Sequence, residues 1–136
     1  MTTVLFACVH NAGRSQMAAA FFNALADPTL ARAISAGTQP AERVHPEVVQ
    51  AMREVGIDLD RVTPTRLTDA VAGTAQVLVT MGCGEACPVV SGAERIEWEI
   101  ADPKGQPPER VRAIRADLRA RVERLIARHR WQRPSA

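Results

Sequence analysis

Aromatic residues are scarce in this chain: there is no tyrosine, and 136 residues carry only three phenylalanines and two tryptophans. No apolar run approaches the roughly 20 residues that a membrane span needs, so no transmembrane segment is expected. Met1-Thr2-Thr3 leads straight into Val4-Leu5-Phe6-Ala7, without the basic flank or cleavage site of a secretory signal. Export is therefore not expected, and the cytoplasm is the expected compartment. The net charge of +2 is too small to argue for nucleic acid. The arginine-rich last third is interrupted by Asp117 and Glu123 and reads as a solvated helix face. Cysteine is confined to Cys8, Cys83 and Cys87, an odd number, and a reducing compartment keeps such residues as thiols unless their chemistry is used.

What is present is enough chain for one domain, residues 1–136, with a hydrophobic fraction of 46% that can fill a core without disulfides or a structural metal. Val4 to Ala7 suits a buried strand, ended by the turn and cap residues around Asn11, Gly13 and Ser15. From Gln16 to Leu25 the apolar positions Met17, Ala20, Phe21, Ala24 and Leu25 have helical spacing, with Ser15 expected as N-cap. Ala33 to Ala36 reads as a second strand. His45-Pro46 opens a helix expected to run through Val55 to Gly56. Gln76 to Met81 is the clearest strand, Arg95 to Trp98 is a weaker one, and Pro108 to about His129 is an amphipathic helix. Strands alternating with helices predict an α/β fold: an open, doubly wound, four-stranded parallel sheet with helices on both faces. Ligands in such folds sit beyond the carboxyl ends of the strands. Cys8, Thr38, Cys83 and Asp102 each follow one of the four strands, so they are expected on the same edge.

Cys8-Val9-His10-Asn11-Ala12-Gly13-Arg14-Ser15 separates a cysteine from an arginine by five residues, between a strand and a helix. That length lets the backbone curl until several N–H groups point at one anion, and the helix N-terminus adds its positive dipole end. The expected result is a cradle for a tetrahedral oxyanion. Gly13 permits a positive φ or a close backbone approach, Asn11 can brace the loop, and Arg14 can grip two oxygens with its planar fork. Ser15 can cap the helix or hydrogen-bond the Cys8 sulfur. The donors that bind an anion also stabilise a thiolate, so Cys8 is expected to act as a nucleophile. His10 lies in the loop but reads more readily as a structural histidine, while His45 and His129 look like helix-start and helix-end residues. Asp102-Pro103 follows the last strand, where a carboxyl group can give a proton to a departing oxygen.

Met81-Gly82-Cys83-Gly84-Glu85-Ala86-Cys87-Pro88 holds the other two thiols four residues apart. Three readings stand. A zinc site needs about four ligands, which this stretch does not offer, so no metal is expected. The cysteines could be small core residues. Alternatively they form a redox relay, in which Cys83 attacks a Cys8-bound product and Cys87 resolves the disulfide. In a regular helix Cβ atoms four residues apart are about 5–6 Å from each other, more than the roughly 3.5–4.5 Å of a disulfide. A Cys83–Cys87 bond therefore requires a rearrangement, which Gly82, Gly84 and Pro88 favour.

Cys8 to Ser15, Asp102-Pro103 and the order of elements resemble the low-molecular-weight tyrosine phosphatase superfamily over essentially the whole chain. Within it, Met81 to Gly84, Cys87-Pro88 and Asp102-Pro103-Lys104-Gly105 resemble the arsenate reductases that use three cysteines. Low-molecular-weight tyrosine phosphatases typically follow the acid Asp-Pro with aromatic residues, whereas this chain has Lys104-Gly105. The resemblance implies that Cys8 attacks arsenate, that Arg14 and the amides of residues 9–15 hold its oxygens, and that Asp102 protonates the leaving hydroxyl. It further implies that Cys83 releases arsenite, and that Cys87 carries the disulfide outward to thioredoxin or a similar donor, with no bound cofactor. Phosphate and sulfate would act as mimics of arsenate. The Cys83–Cys87 spacing is shorter than in thioredoxin-coupled members, which leaves the reductant open. The first helix reads Gln16-Met17-Ala18-Ala19-Ala20-Phe21 and lacks the acidic residue that helps those members bind potassium, so no potassium site is expected.

Two other functions compete. A phosphomonoester phosphatase would use Cys8, Arg14 and Asp102 alone, with Cys83 and Cys87 as bystanders. A redox or oxyanion sensor would oxidise its thiols and bind a partner, but it has no use for a leaving-group acid.

Overall fold

The computed structural model describes residues 1–82 and 92–134. The described elements run β1 (Thr2–Cys8), α1 (Arg14–Leu25), β2 (Ala31–Gly37), α2 (Pro46–Arg53), α3 (Asp69–Ala72), β3 (Val77–Thr80), β4 (Glu94–Glu97) and α4 (Pro108–His129). All pairings are parallel, in the order β2-β1-β3-β4. The expected α/β sheet is thus present.

β1 is central, and Val4, Leu5, Phe6 and Ala7 are fully buried, which is why the strand reads as an unbroken apolar run and not as an alternation. Its two faces feed different cores. Phe6 belongs with Met17 and Phe22 of α1, Val48 and Met52 of α2, and Leu118 and Val122 of α4. Leu5 and Ala7 face Ala36, Leu78, Ala72 and Ala75, with α3 packed on that side. Helices cover both faces as expected, but α3 has only four residues and too few apolar positions for a period to show. Its start is marked by Thr68, whose side chain accepts a hydrogen bond from the Val71 amide at 3.1 Å.

Several expected boundaries move. α1 starts at Arg14 with Gly13 as N-cap and no side-chain cap, so Ser15 lies inside the helix. Ala24 is exposed, while Ala18 and Phe22 are buried in its place. α2 ends at Arg53, two residues before Val55; its end is closed by amides of Gly56 and Ile57 bonded to Arg53 and Met52, with Gly56 at φ 82°. α4 is more than a solvated face. Arg112 and Arg115 bind Glu54 at 2.7 and 2.8 Å, and His129 meets Glu94 at 3.1 Å, so charged residues tie α4 to α2 and β4. Hydrogen bonds from both guanidinium groups hold the Glu54 carboxyl down at about 2. Among the described residues no helix is long and apolar enough to cross a membrane.

The chain leaves β1 toward β2 on one side, and β3 lies on the other. That reversal opens a crevice at the carboxyl ends of β1 and β3. Cys8 ends β1 and Gly82 lies two residues beyond β3, so both stand at this crevice.

Candidate active site

The loop after β1 is shaped from outside. The carbonyls of Cys8, Val9, His10 and Ala12 accept hydrogen bonds from the amides of Thr38, Gln39, Ala41 and His45, at 3.2, 2.8, 2.9 and 2.9 Å. In a trans peptide the C=O and the following N–H point in opposite directions, and no described peptide is cis. The N–H groups of Val9, His10, Asn11 and Gly13 are therefore turned inward, away from the 38–45 segment. This is the physical basis of an anion cradle. The close approach needs Gly37: a Cβ there would stand 2.6 Å from the Val9 carbonyl oxygen and 2.8 Å from the Asn11 nitrogen.

Asn11 is fully buried and adopts φ 50°, a left-handed conformation that asparagine tolerates better than most residues. The strained turn thus falls on Asn11 and not on Gly13. The Asn11 Oδ1 accepts from the Thr65 amide at 2.8 Å, which fixes the amide orientation because a backbone N–H only donates. Its Nδ2 therefore donates to Ser15 Oγ at 2.7 Å. Ser15 Oγ accepts that bond and lies 2.8 Å from Cys8 Sγ, within reach to donate its own proton to an ionised sulfur. A thiolate is the matching acceptor. Gln16 Nε2 donates to both Asn11 Oδ1 and the Asn11 carbonyl, at 3.1 and 3.2 Å, and completes the brace.

Arg14 begins α1, and its Nη1 donates to the Ile100 carbonyl at 3.2 Å, which holds the guanidinium at the mouth of the loop. Gly82, at φ 88°, makes room for it, since a Cβ there would meet Nη1 at 2.8 Å. Arg14 Nη2 stands 4.0 Å from Asp102 Oδ2, and Asp102 is 44% exposed. Gly13 serves the second of its expected uses, close approach: a Cβ would lie 2.8 Å from Pro103 Cγ. Cys8, Arg14 and Asp102, three residues expected at the site, are therefore brought to one crevice by β1, α1 and the loop after β4.

His10 and His45 stand with ring centroids 6.4 Å apart beside the loop. Burial is the main cause that holds His45 below the ordinary histidine range; Lys104 and His10 act in the same direction, while Glu47 and Asp102 oppose them. Its amide also braces Ala12, so this helix-start residue is part of the site's frame. His129, read as a helix-end residue, bonds the Leu125 carbonyl and Glu94 and stacks on Trp131 at 4.2 Å. Sequence reasoning missed Gly37, Gly82, Thr65, Gln16 and Glu47. A glycine at or just after a strand end was the only available signal for the first two. Cys83 and Cys87, expected as relay residues, lie outside the described residues.

A buried cysteine at the start of a loop with inward N–H groups, an arginine at its mouth and an aspartate beyond the last strand of a parallel sheet form an arrangement suited to cysteine-dependent oxyanion transfer. Residues 3–134 match the model of the low molecular weight phosphotyrosine protein phosphatase family, and the chain belongs to that family. A putative arsenate reductase of Halobacterium salinarum is 38% identical over 127 residues, covering 89% of this chain and 88% of that protein. The glutaredoxin arsenate reductase of a Synechocystis species is 36% identical over 131 residues, covering 94% and 98%. Among solved structures, the thioredoxin-dependent arsenate reductase of Corynebacterium glutamicum superposes with a TM-score of 0.81 at 34% identity, over 94% of this chain and 61% of that one. This chain therefore spans about 61% of that solved protein's length.

Proposed function

We propose that this protein is a cytoplasmic arsenate reductase that uses three thiols. The observation that carries the reading is the 2.8 Å contact of Ser15 Oγ with Cys8 Sγ, inside a loop whose N–H groups face inward. The Cys8 thiolate attacks arsenic, forming an As–S bond while an As–O bond breaks, and Asp102 gives the departing hydroxide its proton. Val9 to Ser15 and Arg14 hold the remaining oxygens. Cys83 then attacks the Cys8 sulfur: an S–S bond forms, the As–S pair stays on arsenic, and arsenate has become arsenite. Cys87 takes over the disulfide. A dithiol protein, of the thioredoxin or glutaredoxin type that names two of the relatives, restores the thiols with two electrons. Phosphate and sulfate share arsenate's shape and charge and compete for the loop. No metal and no bound cofactor enter this scheme.

Arsenite production in the presence of a thioredoxin or a glutaredoxin system tests the reading. Wild type turns over repeatedly, and Cys8→Ser, Cys83→Ser and Cys87→Ser each abolish sustained turnover. Hydrolysis of a phosphomonoester without arsenite release, surviving loss of Cys83 and Cys87, would make the protein a phosphatase instead.

A further inference from the structure

The aspartate read above as the leaving-group acid sits on an exposed loop, yet its position relative to Cys8 has to be held closely: a displacement of about 1 Å costs up to 10²-fold in rate. The contacts around that loop form a closed ring. Pro103 packs on Gly13. Asp102 Oδ1 accepts from the Lys104 amide at 3.0 Å, and the Gln106 amide bonds the Pro103 carbonyl at 3.1 Å, so residues 102–106 are a tight turn. Gly105, at φ 71°, presents its N–H outward, where Glu47 Oε2 accepts it at 3.1 Å. Glu47 is in the first turn of α2, and α2 is fixed to the anion loop by the His45 amide on the Ala12 carbonyl at 2.9 Å. The ring therefore runs from Ala12 through His45, Glu47, Gly105 and Pro103 back to Gly13.

We infer that Glu47 is a positioning residue for Asp102, with α2 acting as a latch that sets the acid's place over the Cys8 loop. Arg14 holds the near side of the turn through Ile100 and Asp102, and Pro103 rests on Gly13; the Glu47 bond fixes the far side at Gly105. A carboxylate in the first turn of a helix is also favoured by the helix dipole. That role would affect stability alone and would not depend on Asp102.

This inference rests on the reading of Asp102 as the acid, and a double-mutant cycle on single-turnover arsenite release tests it. Glu47→Ala lowers the rate about fivefold with the inhibition constant of inorganic phosphate unchanged, and Glu47→Gln, which keeps an acceptor, restores it to within about twofold. In an Asp102→Asn background Glu47→Ala produces no further loss, because the group it positions is gone. Equal fractional losses in both backgrounds, or no loss from Glu47→Ala in the wild-type background, would overturn the latch. Should no variant release arsenite, the proposed function fails, and the same cycle run on p-nitrophenyl phosphate hydrolysis still reads the latch. Absence of turnover on both substrates overturns the site and the latch together.

Discussion

At the scale of single residues, the chemistry turns on who donates to whom. Asn11 donates to Ser15 Oγ, and a Cys8 thiolate, which can only accept, would take the Ser15 proton. The thiolate is the reactive form of a cysteine, so Ser15→Ala, which removes a donor beside the sulfur, is expected to slow alkylation of Cys8 by iodoacetamide at pH 7. An unchanged alkylation rate would show that the Ser15 proton points elsewhere. His45 offers a second test. Because burial lowers its proton affinity in the folded state, the unfolded chain binds the proton more readily. Its contribution to stability is complete above the ordinary value of 6.5 and is lost as pH falls below it. Urea midpoints measured between pH 7 and pH 5 are expected to fall less in His45→Gln than in wild type. The sequence displayed Cys8, Arg14 and Asp102 because their spacing follows strand ends. It did not display that Asn11, and not Gly13, takes the left-handed turn, since that depends on Thr65 and Gln16 arriving from outside the loop.

At the scale of elements, strand ends decide how closely the anion loop is held. Gly37 closes β2 against the backbone of Val9 and Asn11, and backbone atoms yield less readily than side chains. Gly37→Ala is expected to destabilise the fold by roughly 1–3 kcal/mol and to weaken phosphate binding, measured by chemical denaturation and calorimetry. Gly92→Ala is a poor control, because an alanine would be strained at its φ of 85°. The long elements were legible: β1 by its apolar run and α4, Pro108 to His129, by its three-and-four spacing. α3 was not, because four residues hold too little pattern, and its packing against Leu5 and Leu78 is purely tertiary. α2 lost its expected last turn because Gly56 and Ile57 fold back on Arg53 and Met52.

At the scale of the whole molecule, α4 joins the parts. Its apolar stripe of Val111, Ile114, Leu118, Val122, Leu125 and Ile126 is buried against the larger core, while its arginines hold α2 through Glu54. Leu118, fully buried, is expected to cost about 2–5 kcal/mol as Leu118→Ala, read from the denaturant midpoint. The Glu54 clasp behaves differently with pH. Its carboxyl is held at about 2 against an ordinary 4.5, so its stabilisation is complete above 4.5 and fades only as pH falls toward 2. Glu54→Gln is expected to flatten that part of the acid unfolding curve. The sheet brings the loop after Cys8, the turn at Asp102 and the start of α2 to one rim, and the family reading agrees with that architecture.

The central claim, that Cys8 reduces arsenate through a thiol relay, is tested most directly by mixing the fully reduced protein with arsenate in the absence of any reductant. The account predicts one arsenite released and two thiols lost per chain, with neither event in Cys8→Ser. Arsenate bound at the loop with all three thiols still titratable and no arsenite formed would contradict it.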